Sequence, residues 1–211
     1  MARYELHGIW ASGPCYKVGL MLALAGEAFD YVHVDLPGKA QKTPDYLARN
    51  RFGVVPCLVD KQTGETLCQS ASILEHIAEA SGKFLGANAR ERRQAREWSY
   101  WGWDRLARGI YRPRAYKFGF WKTSEEIAAH YADEGRAGLA VLEEALADKQ
   151  WLVGASPTFA DIDLYGVVAY APQAGLDLGA YPNLKGWMAR IEALPGFKGP
   201  DALLPKQSQA A

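Results

Sequence analysis

Two residues with reactive side chains stand at the start of one apolar segment. The stretch SGPC, residues 12–15, opens with turn residues and leads into the apolar residues 18–26, a pattern that predicts a helix with a terminal glycine. A cysteine at a helix N-terminus has a lowered pKa and can act as a nucleophile. Cys15 can equally be a small buried residue that packs the helix, and Ser12 can be only a turn or capping residue.

A second notable feature is a proline inside a segment that otherwise favours a strand. In RFGVVPCLVD, residues 51–60, the β-branched residues predict a strand. Pro56 cannot donate a ladder hydrogen bond, so it belongs at a strand's first residue, at an edge or at a bulge. It also pushes Val55 into an extended conformation. The segment alone favours a trans bond, because only about 5% of X-Pro bonds in folded proteins are cis.

The dipeptide Gln69-Ser70 precedes an amphipathic segment and offers a third polar group. Residues 70–82 carry a helical stripe of Ile73, Leu74 and Ile77, and Ser70 is placed to cap that helix. A serine hydroxyl and free backbone N–H groups at a helix N-terminus suit a carboxylate. Capping and ligand binding are compatible uses of the same groups.

The elements that must position these residues alternate over the first 80 positions. Short strand patterns, helix patterns and a Gly-containing hairpin turn follow in the order β-α-β-α-β-β-α. This order predicts a small mixed sheet with a right-handed parallel crossover at its start. The first domain is therefore predicted over 1–81, with a linker over 82–88.

Helical patterns dominate the rest of the chain, so residues 89–211 are predicted to be an all-α domain. Residues 124–147 form a long amphipathic pattern. Thr158 and Asp161 have the spacing of a capping box. The fold class is thus α/β followed by all-α.

Composition excludes several classes of protein. The 211 residues are 49% hydrophobic and 23% charged, and the formal net charge is +0, so neither nucleic acid nor an anionic membrane is an expected partner. Three scattered cysteines without a CxxC motif argue against a disulfide framework or a zinc site and favour reduced thiols in the cytoplasm. We expect no metal, no membrane span and no signal peptide.

Four stretches together resemble the cytosolic glutathione transferase superfamily, with features of its delta, theta and beta classes. They are SGPCYKV (12–18), FGVVPCLVD (52–60), QSASILEHIAE (69–79) and SPTFADIDLYG (156–166). The resemblance implies a thioredoxin-like first domain with Pro56 held cis, and a helical bundle after it. It also implies a cytoplasmic homodimer that adds the glutathione thiolate to small hydrophobic electrophiles, with glutathione as co-substrate.

The resemblance also implies roles for the residues at the first helix and the cis proline. Ser12 matches the serine that donates to the glutathione sulfur in the delta and theta classes. Cys15 falls where the beta class keeps a cysteine that forms mixed disulfides with glutathione, and Tyr4 is a third candidate. The backbone of Val55, next to Pro56, would pair with the peptide backbone of glutathione.

The ends of glutathione have their own candidate ligands by the same resemblance. Gln69 and Ser70 match the pair that binds the γ-glutamyl group. Gln41 and Lys42 occupy the loop that faces the glycyl carboxylate, where Lys39 is an alternative.

The helical domain would supply the pocket for the electrophile. Its aromatic candidates, for which ordinary helix core is an equally good interpretation, are Tyr111, Tyr116, Phe118 and Trp121. Two other functions stay open: a glutathione-dependent disulfide reductase or peroxidase that uses Cys15, and a glutathione-binding interaction module with little turnover.

Overall fold

One mixed β-sheet organises the first part of the chain. The computed structural model describes residues 2–207, and within them all four strands belong to this sheet, in the order β2-β1-β3-β4. β1 and β2 are parallel, whereas β3 is antiparallel to both β1 and β4. The small mixed sheet predicted from the sequence is therefore confirmed. The strands are β1 (Tyr4–Gly8), β2 (Phe29–His33), β3 (Cys57–Asp60) and β4 (Glu65–Cys68).

Three helices alternate with or follow these strands in the predicted β-α-β-α-β-β-α order. They are α1 (Gly13–Ala25), α2 (Pro44–Arg49) and α3 (Ser70–Ser81), and a 3₁₀ turn, Ala40–Lys42, precedes α2. Ser12 caps α1 with its side chain. The structure corrects the prediction for Ser70, because Gln69 is the N-cap of α3 and Ser70 is its first helical residue.

The chain divides into two compact units. The first comprises the residues up to Lys83 together with those from Leu194 onward, and the second comprises Phe84–Ala193. The sequence pattern groups the C-terminal segment with the helical domain, but the structure packs that segment on α1. A Cβ atom on Gly19 would lie 3.0 Å from the side chain of Leu204. The glycine in α1 therefore leaves room for the C-terminal segment to pack closely. Met1 and residues 208–211, which the predicted domains include, lie outside the described residues.

The second unit consists of helices, as predicted. One run of helical backbone contains α4 and α5, joined by a π-helical stretch at Gly102–Ala107. None of the helices within residues 2–207 is both long and apolar enough to cross a bilayer. The helices of this unit are α4 (Ala89–Trp101), α5 (Arg108–Lys117), α6 (Glu125–Ala145), α7 (Phe159–Val168), α8 (Ala171–Ala174) and α9 (Pro182–Glu192); α10 (Pro200–Leu203) belongs to the first unit.

The capping box predicted at the start of α7 is confirmed, and it extends beyond the helix. Asp161 is fully buried and accepts from the backbone N–H of Thr158 at 2.8 Å and from its hydroxyl at 3.1 Å. The other carboxylate oxygen accepts from the backbone of Leu152 at 3.0 Å and from the indole of Trp187 at 2.9 Å. One carboxylate therefore joins the start of α7, the preceding loop and α9.

A second buried carboxylate lies at the end of β3, in the first unit. Asp60 accepts from Arg3 Nε at 3.0 Å and from Arg3 Nη2 at 2.6 Å. His76 Nε2 and the backbone N–H of Gln62 complete its partners. The bonds from Arg3 hold the pKa of Asp60 well below its usual range. Asp60 therefore stabilises the folded state in its ionised form.

We expect Asp60→Asn to lower the free energy of unfolding by about 1.5–3 kcal/mol at neutral pH, because hydrogen bonds to a charged group are lost. The folded-state pKa lies below the unfolded value of about 3.9. The contribution is thus complete above that value and is lost as the pH falls toward the folded-state pKa. Urea denaturation of wild type and variant between neutral pH and about pH 3 measures the difference.

The control for this prediction is Asp30→Asn, which removes the ion pair with the exposed Lys61. A pair of this kind, with a solvent-exposed ammonium, contributes little to stability, so this variant should unfold much like the wild type. A difference between wild type and Asp60→Asn that grows as the pH falls would contradict the assigned role.

Candidate functional site

The strand register brings the predicted site segments to one end of the sheet. His7, near the end of β1, is opposite Cys57, the first residue of β3. Cys57 is in turn opposite Cys68, the last residue of β4. Three segments therefore lie at the same end of the sheet, because β3 is antiparallel to both β1 and β4. They are the loop into α1, the turn before β3 and the start of α3.

Ser12 lies in the loop after β1 and is half-buried. Its Oγ accepts the backbone N–H of Cys15 at 3.3 Å, within the first turn of α1. A serine hydroxyl has one hydrogen to donate in addition to its two acceptor positions. Accepting the capping bond therefore leaves Ser12 able to donate to another group at the N-terminus of α1.

Cys15 faces the sheet. It is 0% exposed, and a Cβ atom on Gly8 would lie 2.8 Å from Cys15 Sγ. Burial raises the pKa of the Cys15 thiol to about 11, against the opposing effects of its hydrogen bonds with Ser12 and Ile9. At neutral pH this thiol is protonated and packed against β1, which are the properties of a core residue.

The bond between Val55 and Pro56 is cis, as the resemblance implied, and it comes directly before β3. Among residues 2–207, neither backbone polar group of Val55 has a hydrogen-bonding partner. This half-buried residue thus presents one N–H and one C=O beside the start of the strand. Such groups can pair with an extended peptide.

Two residues that sequence reasoning missed hold this turn in place. The buried Asn50 donates from Nδ2 to the carbonyl oxygens of Val54 at 2.7 Å and Pro56 at 3.4 Å. The hydroxyl of Tyr46 also donates to Val54, at 2.8 Å. The sequence offered only a weak signal, because an asparagine at a helix end usually indicates a cap or a turn, and its burial is seen only in the structure.

The loop that carries Gln41 and Lys42 packs against the same turn. A Cβ atom on Gly53 would lie 2.9 Å from Lys42 Nζ and 3.1 Å from the carbonyl oxygen of Gln41. Lys42 is exposed, and Lys39 is exposed in the residue before the 3₁₀ turn. A lysine ammonium therefore lies near the chain two residues before Val55.

Gln69 and Ser70 differ in their surroundings. Gln69 is exposed and has φ 69°, ψ 115°, a left-handed backbone conformation that residues other than glycine rarely adopt. Strained conformations of this kind cluster at ligand-binding sites. Ser70 is 6% exposed, and it begins α3, where the backbone N–H groups have no partner within the helix.

The four aromatic candidates for the electrophile pocket have different surroundings in the structure. Tyr111 donates its hydroxyl to the carbonyl oxygen of Gly166 and packs edge-on against Tyr170. Trp121 packs against Tyr131, and the guanidinium of Arg112 lies over both rings. Of the other two candidates, Tyr116 is half-buried and Phe118 is 53% exposed.

The third candidate donor, Tyr4, lies in the core of the first unit. It is 0% exposed and makes an edge contact with His76. Burial raises the pKa of its phenol. Within the described residues no group of three or more histidine, cysteine or carboxylate side chains is arranged to hold a metal ion.

Family models match both parts of the chain. The N-terminal domain of glutathione S-transferase matches residues 11–80, and its C-terminal domain matches residues 106–195. These two ranges contain the site segments of the first unit and most of the helices of the second.

Individual relatives cover nearly the whole chain. A maleylacetoacetate isomerase from Rhizobium meliloti (strain 1021) is 32% identical over 205 residues, which are 92% of this chain and 93% of the relative. The disulfide-bond oxidoreductase YfcG from Escherichia coli (strain K12) is 27% identical over 185 residues, 85% and 86% of the two chains.

A solved structure of a glutathione S-transferase from Pseudomonas fluorescens [Pf-5] superposes with a TM-score of 0.88. It is 31% identical, and the match covers 94% of this chain and 99% of that one. The order of elements, the cis proline at the sheet end, the two matched domains and relatives above 30% identity agree. The chain belongs to the glutathione transferase superfamily.

Proposed function

We propose that this protein is a glutathione transferase that adds the glutathione thiolate to small hydrophobic electrophiles. The observation that carries the proposal is the convergence of three different groups at one end of the sheet: the Ser12 hydroxyl, the unpaired backbone of Val55 and the start of α3 at Ser70. Glutathione is an extended tripeptide with a thiol in the middle and a carboxylate at each end, so it needs these three kinds of group.

Each part of glutathione has a proposed partner in the first unit. The cysteinyl backbone pairs with Val55 beside the cis proline, as an added strand would. The γ-glutamyl carboxylate binds the N-terminus of α3 through Ser70, helped by Gln69 and by the helix dipole. Lys42, with Gln41, faces the glycyl carboxylate across the turn at Gly53.

We assign Ser12 as the residue that stabilises the glutathione thiolate, and we do not assign Cys15 as a nucleophile. The half-buried hydroxyl of Ser12 keeps a hydrogen to donate. Cys15 is 0% exposed, and its thiol has a raised pKa. A nucleophilic cysteine needs an accessible thiolate. Disulfide reduction through Cys15 is therefore the less favoured of the two enzymatic functions.

The binding mode is tested by replacing Gln69 and Ser70 together with alanine. Losing a charge-assisted bond and a neighbouring polar contact implies an affinity loss of about tenfold to a hundredfold. Calorimetric titration with S-methylglutathione, whose sulfur cannot be oxidised to a disulfide, measures it. Ser72→Ala is the matched control, because Ser72 lies exposed in the same first turn of α3. Affinity retained in the double variant would contradict the proposed site.

The electrophile is expected to bind in the helical unit near the aromatic residues of α5 and the segment after it. The open hydrophobic surface there includes Phe118, which stacks with Phe120 at 6.2 Å between ring centroids. A panel of aryl halides, enones and epoxides, run beside a mixed-disulfide reduction assay, identifies the reaction. No turnover with tight glutathione binding would instead favour an interaction module.

We also propose a symmetric homodimer formed between the region of residues 90–105 and the first domain of the partner. Tyr100 and Trp103 are 68% and 50% exposed, and large exposed aromatic side chains of this kind mark contact surfaces. Trp98 and Trp101 pack edge-to-face beside them at 5.3 Å. Sedimentation velocity at micromolar concentration is expected to show a dimer, and Trp103→Glu is expected to shift it to monomer. A wild-type monomer would contradict the proposal.

The cytoplasm is the proposed location, supported by a sequence with three scattered cysteines and no CxxC motif, a pattern that favours reduced thiols. Fractionation of the producing cell that recovers the protein from an oxidising compartment would overturn this.

A further inference from the structure

Cys57 and Cys68 face each other across the β3–β4 hairpin. They are directly opposed in the antiparallel register, so their side chains leave the same face of the sheet. The two thiols are close enough for each to shift the pKa of the other. Cys57 lies in a small apolar cluster with Val34 and Tyr46, beneath α2.

The backbone separation of the two cysteines suits a disulfide. Directly opposed residues of an antiparallel pair have Cα atoms about 4.5 or 5.5 Å apart, depending on the hydrogen-bonding position. Disulfides span Cα separations of about 4.4–6.8 Å. Both classes of pair fall within this range of Cα separations, so the register allows the two sulfurs to bond after a small adjustment of the hairpin.

The two thiols differ in their access to solvent. Cys57 is 0% exposed, and burial raises the pKa of its thiol to about 12. Cys68 is half-buried, and its thiol donates to the carbonyl oxygen of Arg49 at 3.6 Å. Burial also raises the pKa of Cys68, while the positive charge of Arg51 opposes that shift. Cys68 is thus the thiol that an anionic disulfide can reach first.

We propose that Cys57 and Cys68 form a dithiol–disulfide site that exchanges with glutathione disulfide. Cys57 directly follows Pro56, and Cys68 directly precedes Gln69, so the pair lies behind the proposed glutathione site and shares its strands. The choice of glutathione disulfide as the oxidant rests on the proposed function, whereas the pairing of the two thiols does not.

The exchange proceeds in two thiol–disulfide exchange steps. The Cys68 thiolate attacks one sulfur of glutathione disulfide; the disulfide bond breaks, a Cys68–glutathione mixed disulfide forms, and one glutathione thiolate leaves. Cys57, having lost its proton, then attacks Cys68 Sγ and displaces the second glutathione thiolate. Two cysteine thiols are oxidised, one glutathione disulfide is reduced to two glutathione molecules, and the two thiol protons end on these products.

The product is a covalent bridge between the strand ends that carry the two halves of the proposed site. It joins the residue after the cis proline to the residue before the strained Gln69. Reduced glutathione reverses the reaction, so the ratio of reduced to oxidised glutathione sets the fraction of bridged protein.

The test uses the full chain, reduced and then incubated with excess glutathione disulfide. Remaining thiols are alkylated, and the protein is cleaved with trypsin. Cleavage after Arg51, Lys61 and Lys83 places Cys57 and Cys68 on separate peptides. We expect these two peptides to be joined by a disulfide while Cys15 is still alkylated, and glutathione to reverse the bridge. Equal alkylation of Cys57 and Cys68 before and after oxidation would overturn the proposal.

Single variants identify the attacking thiol. Cys57→Ala, an apolar replacement suited to its buried site, is expected to accumulate glutathione on Cys68 because no resolving thiol is present. Cys68→Ala is expected to react with glutathione disulfide at least about tenfold more slowly than Cys57→Ala, since the remaining thiol is buried. Faster reaction of Cys68→Ala would overturn the assigned order, and wild-type peptide mapping stays decisive should either variant fail to fold.

A second oxidant separates the two parts of the proposal. Hydroxyethyl disulfide carries no glutathione groups, so it probes the thiol pair alone. A bridge formed by it but not by glutathione disulfide overturns glutathione disulfide as the oxidant and keeps the pair. Titration of the reduced protein with S-methylglutathione decides the proposed glutathione site independently of either result.

Discussion

Asp161→Ala is expected to lower the free energy of unfolding by about 3–5 kcal/mol. The substitution removes the acceptor of four hydrogen bonds, from the backbone of Leu152, from the backbone and hydroxyl of Thr158, and from the indole of Trp187. Each buried donor left without a partner costs about 1–3 kcal/mol. Water entering the space can recover part of this, so the sum of the individual costs is not reached.

Urea denaturation of the wild type and two comparison variants measures this effect. Asp161→Asn keeps the volume and one oxygen acceptor, so its loss should be smaller, about 1–3 kcal/mol. Asp148→Ala removes an exposed aspartate of the same unit and should change stability by no more than about 0.5 kcal/mol. A loss below about 1 kcal/mol in Asp161→Ala would show that the carboxylate does not hold these three segments together.

The capping box illustrates what a sequence can reveal. Thr158 and Asp161 satisfy a local rule, in which each side chain caps the backbone near the other, so their spacing alone predicts the helix start. The contacts of Asp161 with Leu152 and Trp187 depend on how distant segments fold back. The cap was therefore predictable, whereas its role as a junction of three segments was not.

In the first unit, too, local features were predictable from the sequence and features that depend on the tertiary fold were not. The alternation of strand and helix patterns predicted the order of its elements, because burial of alternate faces imposes those periods locally. The cis state of Pro56 came only from the resemblance. The left-handed backbone of Gln69 has no local signal, since glutamine does not favour it, and this is why Ser70 was mistaken for the cap of α3.

Contacts that no local sequence rule predicts account for the rest of what the sequence could not reveal. Asn50 binds the turn around the cis proline through its amide, but an asparagine at a helix end usually predicts only a cap or a turn. Cys57 and Cys68 were interpreted as scattered thiols. Their pairing follows from the hairpin register, which the length of the turn determines and which composition does not disclose.

Ser12→Ala is expected to slow glutathione conjugation at neutral pH by about tenfold to a hundredfold. A free thiol has a pKa of about 8.5, and lowering it to about 6.5 requires roughly 2.7 kcal/mol of preferential thiolate stabilisation. One hydrogen bond to a charged group supplies about 1.5–3 kcal/mol, and a helix N-terminus adds about 0.3–1 kcal/mol. Losing the hydroxyl thus removes most of this stabilisation.

The sign of the pH dependence follows from the same argument. The donor lowers the pKa of bound glutathione, so its removal raises that pKa and reduces the thiolate fraction at neutral pH. Above about pH 9 solvent ionises the thiol without help, and the difference between wild type and variant should shrink there. Rates measured with an aryl halide from about pH 6 to pH 9.5, and spectroscopic titration of the bound thiolate, both report this shift.

Three further variants distinguish a hydrogen-bond donor to the sulfur from a helix cap and from a role of Cys15. Ser12→Gly lacks the hydroxyl but costs only a few tenths of a kcal/mol as an N-cap, against about 1 kcal/mol for alanine. Equal rate losses in both variants identify the donor, whereas a loss in the alanine variant alone identifies the cap. Ser12→Thr keeps the hydroxyl and should recover part of the rate.

Cys15→Ala is the decisive comparison, because Ser12 and Cys15 share the first turn of α1. If Ser12 is the donor, Cys15→Ala should lower stability through lost packing of a fully buried side chain but keep the pH profile of the wild type. If Cys15 is the nucleophile, Cys15→Ala abolishes disulfide exchange, and Ser12→Ala is mild. A wild-type pH profile in every Ser12 variant would mean that the sulfur has a different partner, and that the hydroxyl at the start of α1 serves only to cap the helix.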